Sequence, residues 1–166
     1  MPEVAEYDSL RAEMLAHLVL TRRKDVYVVD LNNGPDLGID LFVRIGNKPS
    51  KAVPCFGVQV LGTDDNLLSM QVANRYANRK WKHQRASGYF LFPVVVFLFS
   101  TSNDKGYFSW LVEPYTPPNE DPRLTPVEIL EMTKLDKSAV DMILDRVLQW
   151  ADGMEKMIER ESKEIQ

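Results

Sequence analysis

Two apolar segments decide the fold: GIDLFVRI over residues 38–45 and CFGVQVL over residues 55–61. Both are rich in β-branched and aromatic residues, and a polar loop over residues 46–51 separates them, which is typical of neighbouring strands. A shorter β-branched segment, Asp25–Asp30, precedes them. The pattern therefore predicts three consecutive strands, of which the second begins at Ile39.

Further elements are predicted on both sides of these strands. Apolar residues at helical spacing predict a helix over Glu3–Arg23, in two sets: Val4, Leu10, Met14 and Leu18, and Ala5, Ala12, Leu15 and Val19. A second helix is predicted from about Val72 to Arg85, although Leu67–Val72 alone is also compatible with a short strand. A buried strand over Tyr89–Phe99 and a strand over Tyr107–Val112 form a hairpin. This order predicts an α/β fold with a mixed central sheet flanked by helices.

The last third of the chain begins with proline. The segment Pro114–Pro122 has four prolines in nine residues and is predicted to be a stiff linker. A capping box over residues 125–128 predicts a short helix to about Met132, and Asp136 or Ser138 is predicted to cap a final helix to about Lys163. The predicted division is a nuclease-like α/β core over residues 1–113, a linker over residues 114–123 and a C-terminal helical extension over residues 124–166.

Composition predicts a globular protein of a reducing compartment. Of the 166 residues, 45% are hydrophobic and 27% are charged, which is enough for a core without disulfides. Cys55 is the single cysteine, so neither an intramolecular disulfide nor a cysteine-based zinc site can form. The net charge of −4 excludes a generic polycation. The sequence starts without a signal-peptide pattern, and its longest apolar run is about half of a membrane span. We therefore expect a cytoplasmic protein outside the membrane.

Asp40 and Gln59 are the candidates for chemistry. Asp40 lies at the start of the second strand, next to Ile39, and Gln59 lies within the third. Adjacent antiparallel strands can therefore direct both side chains to one place. Carboxylate and amide oxygens suit Mg²⁺, which activates water and stabilises charge on a phosphodiester. The structural alternatives are that Asp40 caps its strand and that Gln59 has a hydrogen-bond partner in the core. The pair predicts a candidate metal site.

A resemblance to a known family is carried by four blocks: Gly38–Asp40, Phe56–Val60, Phe92–Val96 and Tyr107–Leu111. They resemble a family of small bacterial domains of unknown function whose fold is similar to that of the PD-(D/E)XK restriction-endonuclease-like nucleases. The resemblance covers about residues 3–113. It implies a restriction-endonuclease-like fold and Mg²⁺-dependent cleavage of DNA.

The resemblance also implies roles for individual residues. Asp40 matches the metal-binding aspartate, Gln59 matches the acidic or amide position, and Glu6 or Glu13 would match a glutamate of the leading helix. Glu6 and Glu13 have a plainer interpretation as solvated helix charges.

The chain departs from the family at Leu61, which stands in the place of the motif lysine. That lysine is expected to orient the attacking water or stabilise the developing charge, and leucine can do neither. Either a basic residue reaches the same space from another element, with Lys80, Lys82 and Lys51 as candidates, or the site is inactive. In the second case the fold is retained to bind nucleic acid or a protein partner.

The second predicted helix also carries a basic run: Arg75, Arg79, Lys80, Lys82 and Arg85. The run is either a solvated helix face or a surface that grips DNA phosphates. Trp81 within it either stacks on a base or, as we expect, fills the core. DNA is therefore a possible partner through residues 75–85. The apolar stripe of the final helix either folds back on the sheet or pairs with a second copy in a homodimer.

Overall fold

The structure is a computed structural model, which describes residues 4–31, 38–46, 51–66, 69–84 and 91–166. Its elements are, in chain order, α1 (Val4–Leu20), β1 (Val26–Asp30), β2 (Leu41–Ile45), β3 (Cys55–Thr63), α2 (Met70–Gln84), β4 (Val94–Ser100), β5 (Gly106–Tyr115), β6 (Arg123–Pro126), β7 (Thr133–Lys134) and α3 (Lys137–Glu164). The predicted order of a helix, three strands, a helix and two strands is confirmed. Residues 70–72 are helical, so the alternative of a strand over Leu67–Val72 is wrong for the described part of that segment.

The strands form one mixed sheet, which has seven strands within the described residues. Its order is β1-β2-β3-β4-β5-β6, and β7 pairs with the other end of β5. β3 and β4 are parallel, and the remaining pairs are antiparallel. Parallel neighbours need a crossover connection, which α2 provides between β3 and β4. The predicted mixed sheet flanked by helices is therefore confirmed.

The helices cover the two faces of this sheet. α1 and α3 pack on one face with Phe56, Val58 and Val60 of β3. α2 packs on the other face with Leu61. Because side chains alternate along a strand, Gln59 also points to the α2 face.

A glycine sets the distance between α1 and the sheet. A Cβ atom on Gly62 of β3 would overlap the backbone carbonyl oxygen of Asp8 and would lie 3.0 Å from Cβ of Ala12. The absence of this atom lets the buried side of α1, with Ala12 and Ala16, lie directly on β3.

The helix predicted from the capping box at residue 125 is wrong. Arg123–Pro126 forms β6, which pairs with Val112–Tyr115 of β5. The amides of Leu130 and Met132 then donate to the side-chain oxygens of Asn78 and Asn74 at 2.8 and 2.6 Å. These amides are satisfied by α2 instead of by a helix of their own.

The predicted extension shares its sheet with the predicted core, because β6 and β7 both pair with β5. Residues 116–122, within the predicted linker, connect β5 to β6. Asp121 in this connection lies 2.7 Å from Arg160 of α3.

α3 begins as the sequence indicates. Asp136 is its N-cap, and its side chain accepts a hydrogen bond from the Ala139 amide at 2.8 Å. Five members of the predicted apolar stripe are buried: Val140, Ile143, Leu144, Val147 and Ala151. The first four pack in one cluster with the strands of the sheet. Met154 and Ile158, nearer the end of the helix, are half-buried.

Among the described residues, no helix combines the length and the apolar character needed to cross a bilayer.

Candidate functional site

Asp40 and Gln59 lie side by side where the pairing of β2 with β3 ends. The last pair of this ladder is Leu41 with Val58, so the next residue of each strand is Asp40 and Gln59. The Asp40 amide donates to the Val58 carbonyl at 2.8 Å, and its own carbonyl accepts from the Leu31 amide at 2.9 Å. The predicted juxtaposition across two adjacent strands is therefore present.

The Asp40 carboxylate continues the ladder beyond the end of β2. Its Oδ2 accepts a hydrogen bond from the Val60 amide at 2.6 Å. Asp40 is half-buried, and Gln59 is buried with 6% of its surface exposed. The hydrogen bond from the Val60 amide holds the Asp40 carboxylate at the edge of β3. The predicted strand-capping role and a metal-ligand role therefore place the carboxylate at the same position.

Tyr76 of α2 occupies the same edge of β3, two residues further on. Its hydroxyl donates to the Gly62 carbonyl at 3.1 Å. The backbone amide of Val60 and the backbone carbonyl of Gly62 lie on the same edge of β3. The contacts with Asp40 and Tyr76 are therefore roughly 7 Å apart along the strand. Burial raises the pKa of the Tyr76 hydroxyl, although a hydrogen bond with Thr63 partly opposes this. The hydroxyl is therefore a protonated donor at neutral pH.

Two cations of α2 lie against the Tyr76 ring. The guanidinium carbon of Arg79 is 5.5 Å from the ring centroid, and Nζ of Lys80 is 5.8 Å from it. Both side chains are exposed. Tyr76 thus holds two cations beside the edge of β3 that Asp40 also occupies.

Leu61 packs as an apolar residue. It is partly buried against the cluster beneath α2, and Tyr76 and Trp81 belong to the same cluster. The place of the motif lysine is therefore part of the packing of α2. Arg79 and Lys80, which lie against the Tyr76 ring, come from the helix above it.

The predicted glutamates lie on the other side of the sheet. Glu6 is exposed and Glu13 is half-buried on α1, which packs on the face opposite α2. The acid of α1 that is buried is Asp8, whose Oδ1 accepts from the Thr101 hydroxyl at 2.6 Å. The catalytic roles of Glu6 and Glu13 stay predictions.

The remaining basic candidates are in different places. Lys51 lies 3.6 Å from Glu159 of α3, so it is engaged away from Asp40. Arg75 is exposed on α2. The side chain of Lys82 and the whole of Arg85 lie outside the described residues. Trp81 donates from Nε1 to the Val127 carbonyl at 3.3 Å and packs in the core, as expected.

Sequence reasoning missed Tyr76 and Asp8. Tyr76 shares helical spacing with Val72, Ala73, Ala77 and Trp81, which indicates only that it lies on the apolar side of a helix. Its contact with Gly62 depends on how α2 crosses β3, which no local pattern encodes. The sequence contains one signal for Asp8. It lies four and eight residues before Ala12 and Ala16, which places an acid on the buried side of α1.

The donor set around Asp40 is small. Within the ranges that the structure describes, no three His, Cys, Asp or Glu side chains come together as a metal-binding group. Asp40 and Gln59 supply one carboxylate and one amide. Mg²⁺ commonly keeps several waters and takes only one or two carboxylates from the protein, so this set is compatible with a weakly held Mg²⁺.

Comparison with protein-family models, with curated proteins and with solved structures gave no match to this chain.

Proposed function

We propose that the chain is a nuclease-like protein of restriction-endonuclease-like fold that cleaves DNA at the edge of β3, using Mg²⁺. The observation that carries the proposal is the pair of contacts along this edge. The Asp40 carboxylate accepts from the Val60 amide, and the Tyr76 hydroxyl donates to the Gly62 carbonyl. Tyr76 in turn brings Arg79 and Lys80 to the same edge.

The fold assignment rests on the resemblance and on the arrangement of α1 to β4. The resemblance implies an acid on the second strand and an amide or acidic residue on the third. Asp40 directly precedes β2 and Gln59 lies in β3, at neighbouring positions. This agreement supports the finer fold class.

Each residue has a role in the proposal. Asp40 and Gln59 would hold the ion, which would activate water and offset charge on the phosphodiester. Hydrolysis joins the water oxygen to phosphorus, breaks one P–O ester bond and leaves a proton on the departing oxygen. Lys80 would take the place of the motif lysine and stabilise the additional negative charge on phosphorus. Arg75 and Arg79 would contact neighbouring phosphates.

Leu61 favours a second candidate, an inactive nuclease-fold module that binds nucleic acid or a protein partner. Its partly buried side chain packs under α2 and offers no charge to a phosphate. The exposed cations of α2 would still bind a DNA backbone without cleaving it.

The homodimer expected through the C-terminal helix has less support than the DNA surface. Five of the seven residues in that stripe are buried within the chain itself, four of them in the cluster with the sheet. Only the half-buried end of α3, with Met154 and Ile158, is left for such a contact.

The experiment is cleavage of supercoiled and single-stranded DNA with Mg²⁺ or Mn²⁺. We expect Asp40→Asn to abolish cleavage and Lys80→Gln to slow it by about 100-fold, the usual cost of losing one charge-stabilising group. Lys134→Gln is the matched control, because Lys134 is an exposed lysine on β7. Leu61→Lys is tested beside them.

The outcomes separate the two candidates. Cleavage that survives in Asp40→Asn would overturn the proposed site. Cleavage by Leu61→Lys alone would mean that the metal-binding pair is intact and only the lysine is missing. If no variant cleaves, salt-dependent DNA binding that Arg79→Glu and Lys80→Glu remove would establish the binding module, and the absence of binding would leave a protein partner.

A further inference from the structure

α1 carries an apolar stripe on the side that faces away from the sheet. Its members are Tyr7, Leu10, Met14 and Leu18, with exposed fractions between 55% and 62%. Their spacing of three, four and four residues places them on one face of the helix. Such a patch is on the order of the largest single apolar patch of an ordinary monomer, roughly 300–600 Å².

The opposite side of α1 is also apolar. Ala12, Ala16 and Leu20 are buried on the sheet. An exposed apolar stripe opposite the buried side of a helix is typical of an interaction surface. Among the described residues nothing covers the outer stripe, so it is accessible to another molecule.

The charges at the ends of α1 indicate what that molecule is. Glu6 is exposed near the first turn, and Arg22 and Lys24 are exposed just beyond the last turn. Two copies of α1 in antiparallel orientation bring each acidic end to the other's basic end. A parallel pair would place like charges together. Antiparallel pairing therefore favours an isologous contact about a two-fold axis.

We propose that the outer stripe of α1 is a self-association surface, on which a second copy of the chain packs its own α1 antiparallel. Tyr7 of each copy lies against Leu18 of the other, and Leu10 lies against Met14. The contact is smaller than the roughly 800 Å² per partner of a standard stable interface, so the dimer is weak and concentration-dependent. It uses the helix on the opposite side of the sheet from Tyr76 and is independent of the proposed nuclease function.

The first test is sedimentation equilibrium of the full chain from about 5 to about 500 µM, the range in which a weak interface is populated. We expect the native mass to rise from monomer towards dimer. Met14→Glu places a charge in the centre of the stripe and should weaken association at least tenfold. Ile129→Glu is the matched control, because Ile129 is 75% exposed and lies outside α1. It should associate like the native chain, and thermal unfolding checks that both variants are folded.

The second test gives the orientation. Tyr7→Cys and Leu18→Cys are made separately in a Cys55→Ser background and are oxidised alone and as an equal mixture. Antiparallel pairing predicts a disulfide mainly between the two different variants in the mixture. Disulfides formed mainly by each variant alone would indicate parallel pairing and would overturn the proposed arrangement.

Other covers of the stripe are distinguishable. A native chain that is monomeric at every concentration overturns the proposal, as does association that Met14→Glu leaves unchanged. If the monomer floats with vesicles of phosphatidylcholine and phosphatidylglycerol in a three-to-one ratio, and Met14→Glu does not, the stripe is instead a lipid-binding surface.

Discussion

The buried side chains that the strands direct to α1 and α3 are apolar, whereas those that the strands direct to α2 include polar ones. The described strands have four buried polar residues: Gln59, Thr63, Ser100 and Ser109. By the alternation of their strands, all four point to the α2 face, because their strand neighbours pack with α1 and α3. Successive residues of one strand therefore serve different faces, of which one is apolar and the other holds the polar candidate residue Gln59. The side chains of Phe56, Val58 and Val60, at even positions of β3, pack with α1 and α3, whereas those of Gln59 and Leu61, at odd positions, face α2.

The two faces also differ in how closely neighbouring elements approach β3. The atoms nearest to Gly62 and Gly57 show this difference. Gly62→Ala would drive a Cβ atom into the Asp8 carbonyl, so α1 must move as a backbone unit. Gly57→Ala would meet only side chains on the α2 face, with Ile39 and Phe92 each 3.1 Å away. We expect Gly62→Ala to lower the free energy of unfolding by about 3 kcal/mol and Gly57→Ala by about 1 kcal/mol.

Urea unfolding of both variants measures the difference. Both substitutions are the same chemical change on the same strand, so each is the control for the other. Equal losses would mean that α1 is no more closely fitted than the side chains on the other face, and the comparison would fail.

On the α2 face, side-chain hydrogen bonds join α2 to the segment before β7. Asn78 donates from Nδ2 to the Leu130 carbonyl and accepts from the Leu130 amide at its Oδ1, both at 2.8 Å. Leu130 is buried, so Asn78→Ala leaves two backbone groups without these partners. We expect a loss of about 2 kcal/mol in the free energy of unfolding.

Asn103→Ala is the matched control for Asn78→Ala. Its amide also makes two hydrogen bonds, to Asn66 and from the Lys105 amide, but it is exposed and water can replace them. The control should cost within about 0.5 kcal/mol. A similarly small loss in Asn78→Ala would show that residues 127–132 do not depend on α2.

The two faces were predictable from the sequence to different degrees. Strands β2 and β3 could be predicted because the β-branched and aromatic residues that indicate them are local to each segment. The meeting of Asp40 and Gln59 could be expected because the two strands are consecutive and adjacent. β6 could not, because Thr125-Pro126 reads locally as a helix start. Its actual partner is the end of β5, whose paired residues lie 8 to 14 positions earlier in the chain. The place of Tyr76 at the edge of β3 depends in the same way on a crossover helix, and helix spacing alone indicates only that it faces inward.

The smallest expected effect concerns the rim of the face that α1 and α3 cover. There an ion pair joins the turn after α1 to α3. Arg23 donates to both carboxylate oxygens of Asp25, at 3.0 and 2.7 Å, and lies 3.4 Å from Asp141 of α3. The hydrogen bonds from Arg23 lower the pKa of Asp25 below its ordinary value of 3.8. A lowered carboxyl pKa means that the stabilisation is present above the ordinary pKa and is lost as pH falls through the folded-state value.

Because the pair is substantially exposed, Asp25→Asn should lower the free energy of unfolding at pH 7 by less than about 1 kcal/mol. The difference between native and variant should shrink as the pH falls below about 4, since the native carboxyl is then protonated too. Urea unfolding at several pH values measures it, with Asp152→Asn as the control for an exposed helix ion pair with Lys156. A difference that stays constant from pH 7 to pH 3 would mean that Asp25 acts through packing and not through its charge.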